Sequence, residues 1–147
     1  MRIMVDPNVL LDVAQNRAPF YQDSEAVLAR AREAEYEAFL PGHTFTTFYY
    51  IMARFAGVPT AQSAVEGLLA DFGIVGPEKP IFTRARSLAM ADFEDGVVAA
   101  AAEAAGCDHV VTRNVADFAG SPVPAITPAD FLKLLPAPAT AGEVAEP

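Results

Sequence analysis

Residues 92–118 read "DFEDGVVAAAAEAAGCDHVVTRNVADF". Acids crowd the first four positions, an alanine-rich apolar run follows, and Gly106 closes it, which is the pattern of a helix with acids at its N-terminus and a glycine cap. "DHVVT" at 108–112 then reads as a short buried strand, and "TRN" at 112–114 stands where that strand ends. A helix that feeds a strand in this way starts near the carboxyl edge of a parallel sheet and returns the chain to the opposite edge. Asp92 and Asp95, spaced i and i+3 on one helical face, therefore lie at the same edge as Thr112, Arg113, Asn114 and Asp117.

The N-terminus repeats the arrangement. "RIMV" at 2–5 reads as a first strand ending on Asp6, followed by a short helix in "NVLLDVAQN". Between these two regions the chain alternates. "SEAVLARAREAEY" is a helix with Val27, Leu28, Ala31 and Ala34 on one stripe, and "EAFLP" at 37–41 is a second strand. "TFTTFYYIMARF" recurs apolar at Phe45, Phe48, Met52 and Phe55 and stops at Gly57. Thr60 is placed to cap a helix containing Val65, Leu68 and Leu69. "FGIVG" at 72–76 is a brief strand, "PIFTRARSLAMA" a helix, "PVPAIT" an edge strand or turn, and "TPADFLKLL" a last helix capped by Thr127. Such alternation implies an α/β fold: a three-layer α/β/α sandwich around a short-stranded, mainly parallel sheet. Residues 1–135 form one domain, and the low-complexity "PAPATAGEVAEP" at 136–147 reads as a disordered tail.

Composition narrows the function. Apolar residues make up 52% of the 147 residues and charged residues 20%, which is globular. No apolar run approaches the roughly 20 residues needed to span a bilayer, and no signal peptide is evident. One cysteine, Cys107, fits a buried thiol in a cytoplasmic protein. With only His43 and His109 beside it, the composition argues against a structural zinc site. The net charge of -9, from 19 acids against 10 bases, disfavours unaided binding to nucleic acid or an anionic membrane. A carboxylate cluster holding divalent cations reverses that local field.

Placement of the acids is therefore decisive. Taken singly, each has a structural explanation: Asp92 and Asp95 complement a helix dipole, Asp117 forms an Asx turn, and Asp12 lies on a solvated helix face. Three segments distant in sequence nevertheless deliver Asp6, Asp95 and Asp117 to the edge where open α/β sheets carry their ligands. Unpaired carboxylates that close repel one another, and a hard cation with oxygen ligands, Mg²⁺ or Mn²⁺, relieves the repulsion.

"VDPNVLLDV" at 5–13, the 92–118 stretch and "PAITPADFL" at 124–132 together resemble the PIN-domain family, including VapC-like toxin ribonucleases, over about residues 2 to 134. The resemblance implies an acidic pocket that binds Mg²⁺ or Mn²⁺ and hydrolyses RNA phosphodiesters, with an antitoxin partner and a homodimer in prospect. Position by position, Asp6, Asp95 and Asp117 match the family's acids, and Asp92 is an extra ligand or an acid behind the ligands. Asn8, Thr112 and Asn114 match polar residues lining or bracing the pocket; Arg113 either contacts a phosphate or pairs with a local acid. Two positions depart from the pattern. Pro7 stands where threonine or serine is common, and Thr47 stands where the family carries a glutamate. Both keep open a degenerate, non-catalytic PIN-like module acting through protein or RNA contacts. An acyl-phosphate enzyme of the HAD or receiver type also places an Asp after its first strand, but "DPN" lacks the second Asp, and the chain's only lysines are Lys79 and Lys133. The adjacent Tyr49 and Tyr50 cannot both face inward, which reserves one for a partner. Arg84 and Arg86 read as a solvated face, with RNA contact as the alternative.

Overall fold

A computed structural model describes residues 1–33 and 35–137. The disordered-tail expectation falls, for residues 138–147, outside the described residues. The elements are β1 (Arg2–Val5), α1 (Pro7–Ala14), α2 (Tyr21–Arg32), β2 (Glu37–Pro41), α3 (Thr44–Ala56), α4 (Val58–Asp71), β3 (Gly73–Val75), α5 (Lys79–Leu88), α6 (Phe93–Ala104), β4 (His109–Val111), a 3-10 turn (Val115–Phe118), β5 (Ala125–Ile126) and α7 (Pro128–Leu134). The five strands pair in the order β3-β2-β1-β4-β5, and every pairing is parallel. Ile3 in the central strand lies opposite Ala38 on one side and His109 on the other.

Strand alternation builds the layers. Ile3, Val5, Leu40 and Val111 face one way and meet Val9, Val27, Phe48 and Phe131 from the helices on that side. Met4 and Val110 face the other way and meet Val98, Ala99 and Ala102 of α6 together with Phe118. The alanine run makes α6 thin, and Gly96 makes it thinner: a Cβ there would lie 3.3 Å from the carbonyl oxygen of Ala85 in α5. The two helices thus pack closely while α6 stays against the sheet. No helix among the described residues is long and apolar enough to cross a membrane.

Three boundaries differ from the sequence pattern. α2 begins at Tyr21 and ends at Arg32, ahead of Tyr36. Tyr36 is buried, its ring edge-on to Phe131 at 5.1 Å, and its hydroxyl donates to the Val27 carbonyl, so tertiary packing takes it out of the helix. Arg30, itself buried, is held by Glu35 through two 2.8 Å hydrogen bonds just beyond the helix end. α4 starts at Val58 after Gly57 (φ 93) with proline in its first turn, so Thr60 lies inside the helix and not at its cap. Thr127 does cap α7, accepting from the Asp130 N–H at 3.1 Å. Arg84 is bidentate to Glu103 at 2.8 and 3.1 Å, tying α5 to α6.

Candidate active site

The chain reverses its direction of travel across the sheet at β1: β2 lies on one side of it and β4 on the other, the switch point where parallel sheets open a crevice at their carboxyl ends. Asp6 stands there. It is 4% exposed, its backbone N–H donates to Val111, and its side chain caps α1 by accepting from the Asn8 N–H at 3.4 Å. Thr112, fully buried at the end of β4, donates its hydroxyl to Asp6 Oδ2 at 2.7 Å and accepts from the Asn114 N–H at 3.1 Å. One hydroxyl therefore fixes the Asp6 carboxylate and the turn that leads to Asp117, whose own N–H donates to Asn114.

Asp92 is the N-cap of α6, its Oδ1 accepting from the Asp95 N–H at 3.0 Å. The capping explanation thus holds for this residue, and its charge still acts on Asp95. Burial is the largest reason that the Asp95 carboxyl is pushed up to about 6, and Asp6, Asp92, Asp117 and Glu94 add to it in that order. Burial also raises Asp6, against the Thr112 and Asn8 hydrogen bonds that favour its charged form. The charges of three segments therefore act on Asp95, and no cation among the described residues offsets them there. Chemically the donors suit a hard divalent cation: Asp6, Asp95 and Asp117 offer only oxygen. Among the described residues, however, no three His, Cys, Asp or Glu side chains stand together as a ready-made metal group. A cation would have to draw the exposed Asp117 and the half-buried Asp95 towards the fixed Asp6.

Arg113 takes the structural alternative. Its Nη1 lies 3.3 Å from Oδ1 of Asp12, and its guanidinium sits 4.8 Å above the Phe20 ring. Asp12 is not solvated: it is fully buried in α1, and its carboxyl is raised by that burial against the pull of Arg113 and Arg17. The pair ties α1 to the end of β4, the same two elements that Asp6 and Thr112 join. Asp12 was the residue that sequence patterning missed; its only signal was a carboxylate within the apolar run "VLLDV". Asn8 contributes its backbone to Asp6, and Asn114 is exposed. Thr47 is exposed and lines a small crevice together with Pro7, the residue that follows Asp6 in the chain. His43, at the start of α3, makes no capping bond and lies half-buried with Nε2 4.0 Å from Glu94. Tyr49 is half-buried and Tyr50 is 61% exposed, as their adjacency requires.

The fold is that of several solved proteins. A toxin-antitoxin complex from Klebsiella pneumoniae superposes with a TM-score of 0.66 at 22% identity, over 86% of this chain and 97% of that one. VapBC-1 from nontypeable Haemophilus influenzae gives 0.67 at 15% identity, over 88% and 99%. VapC20 from Mycobacterium tuberculosis, a sarcin-ricin loop cleaving toxin, gives 0.58 at 13% identity, over 74% and 86%. No curated protein matches the chain. A PIN-domain model matches residues 2–116, a span that carries β1 with Asp6, α6 with Asp95 and the buried Thr112, and the chain belongs to the PIN-domain family.

Proposed function

We propose that this PIN-domain protein is a divalent-metal-dependent endoribonuclease, acting as the toxin of a toxin-antitoxin pair. The observation that supports it is the electrostatic coupling of Asp6, buried and braced by Thr112, to Asp95, whose carboxyl is raised by burial first and then by the charges of Asp6, Asp92 and Asp117. Structural acids are ordinarily paired with cations; acids gathered without one suit a site for a cationic ligand.

Asp6, Asp95 and Asp117 would hold Mg²⁺ or Mn²⁺, with Asp92 behind them. A cation held there activates water and neutralises charge developing on a phosphodiester. The chain's own part is orientation. Thr112 keeps Asp6 in one rotamer and, through the Asn114 N–H, sets the turn that presents Asp117. Asn8 holds the other Asp6 oxygen with its backbone N–H. Asp92 stiffens the first turn of α6 and so fixes where Asp95 starts. An antitoxin partner is supported by the fold shared with the Klebsiella and Haemophilus complexes. A homodimer is supported by Tyr50 and Phe55 on α3, which are 61% and 55% exposed.

A second reading, a non-catalytic module, is favoured by one observation: no ready-made three-residue metal group exists among the described residues. Incubation of structured and single-stranded RNA with the protein in Mg²⁺ or Mn²⁺ decides between them. Cleavage abolished by EDTA and by Asp6→Asn supports the nuclease. Absence of cleavage together with absence of Mn²⁺ binding by calorimetry supports the module. Light scattering and co-expression with the product of the adjacent reading frame test the two partners.

A further inference from the structure

A cavity of about 350 Å³ lies between the start of α2 and the start of α7, with Phe20, Asp23, Ser24, Arg113 and Thr127 in its wall. Arg113 directly follows Thr112 in the chain, whose hydroxyl holds Asp6, and its side chain reaches Asp12 at the far end of α1. Three features of its wall are unexplained by packing. Phe20 is 39% exposed, with one face against the Arg113 guanidinium. Ser24 is fully buried, yet its hydroxyl has no hydrogen-bond partner among the described residues. The Arg113 Nε is likewise buried and unpartnered among them. Both atoms lie behind the cavity surface, so what the cavity itself presents is the Phe20 ring and the Arg113 guanidinium.

Charge selects the ligand. The Arg113 cation is already matched by the buried Asp12, and Asp23 adds a carboxylate to the wall. An anion therefore finds no net positive charge there. A neutral, flat group finds an aromatic ring and a guanidinium plane, with the Asp23 carboxylate in the same wall. Unpaired RNA bases are recognised by this combination of stacking and edge contacts.

We propose that this cavity is a nucleobase subsite that receives one unstacked base of the RNA strand flanking the bond to be cut, with Phe20 and Arg113 as its stacking platform. This rests on the ribonuclease reading above and adds a determinant of which RNA is chosen. It is tested on the full chain by NMR titration with AMP, GMP, CMP and UMP separately, with inorganic phosphate as control, in the wild type, Phe20→Leu, Phe20→Trp and Ser24→Ala. The expected result is that at least one nucleotide shifts the amides of Phe20, Ser24 and Arg113 while phosphate does not. Phe20→Leu should weaken that binding roughly tenfold or more, as loss of a stacking ring does, and Phe20→Trp should retain it. Ser24→Ala, which removes a hydroxyl behind the wall, should bind like the wild type. The proposal is overturned if no nucleotide reaches these amides, if phosphate alone reproduces the shifts, or if Phe20→Leu binds like the wild type. RNA cleavage is read separately. Cleavage with a base preference unchanged in Phe20→Leu removes the subsite and leaves the nuclease; nucleotide binding without any cleavage leaves the subsite and removes the nuclease.

Discussion

Asp6 and Asp12 sit at the two ends of one short helix, 4% and 0% exposed, yet they are stabilised in opposite ways. Asp12 meets a guanidinium at 3.3 Å. Asp6 meets a hydroxyl and a backbone N–H, and its charged neighbours include Glu94 and Asp95 as well as Arg113. A buried acid with its own cation is part of the frame. A buried acid oriented by neutral donors and faced by other acids leaves its charge available. The frame even serves the site, since the Asp12–Arg113 pair joins the two elements whose ends carry Asp6 and Thr112.

The contrast is broken most severely at Asp12. Asp12→Ala leaves Arg113 half-buried without its partner and should lower the unfolding free energy by about 3 kcal/mol, the lower end of the cost of stripping a buried ion pair, because the Arg113 side chain keeps 22% exposure. Urea denaturation measures it. Asp12→Leu combined with Arg113→Met should recover most of the loss, because an apolar pair of similar volume needs no compensation. Asp6→Asn, by contrast, should change stability by no more than about 1 kcal/mol, since the single amide oxygen keeps either the α1 cap or the Thr112 bond but not both, while the repulsion with Asp95 disappears. If both single variants destabilise equally, the distinction between the two acids is wrong.

Thr112→Val comes next. It keeps the volume but removes the donor to Asp6 and the acceptor for Asn114, a loss of about 2 kcal/mol when the acceptor is charged. Its NMR signature should be an Asp6 carboxyl that titrates still higher, because the bond that favoured the ionised form is gone.

How much of this is legible in the sequence follows from what patterns record. Period-two alternation shows that Ile3 and Val5 share a face and Met4 does not, and acids at strand ends and a helix start show which edge is charged. Both are local properties, so the layers and the acidic character of the sheet's carboxyl edge could be read. The partner of Asp12 could not, because Arg113 lies in a distant segment and only the β1–β4 pairing brings it near. Tyr36 fails for the same reason: it continues a helical stripe, and only Phe131, far along the chain, draws it out. Thr60 fails locally, because Gly57 and Pro59 start the helix before the better capping side chain is reached.

A smaller effect belongs to pH. Asp95 holds its proton up to about 6 when folded, against an ordinary 3.8, so the folded chain binds that proton more tightly than the unfolded one. Protonation therefore favours folding, and the metal-free protein should lose on the order of 1 kcal/mol as pH rises from about 4 to about 6, after screening at a partly exposed group. Asp95→Asn should flatten that stretch of the stability curve. Mn²⁺ competes with the same proton, so the stabilisation it gives should be larger at pH 7 than at pH 5.

The smallest change tests whether α3 belongs to the site at all. Thr47 is exposed and shares a small crevice with Pro7, at the position where the resemblance implies a glutamate. Thr47→Glu adds a carboxylate at a solvent-facing position, so without metal it should alter stability by less than about 0.5 kcal/mol. With metal the outcome depends on direction. If position 47 looks towards Asp6, the extra oxygen ligand strengthens retention of a cation that dehydrates reluctantly, and the gain should be greater for Mg²⁺ than for Mn²⁺, which already binds such sites more tightly. Thermal unfolding should then show a Tm that rises with Mg²⁺ concentration in Thr47→Glu more steeply than in the wild type, and RNA cleavage should rise with it. A variant whose Mg²⁺ dependence matches the wild type would confine the acidic site to the ends of β1 and β4 and the start of α6, with α3 serving only as its wall.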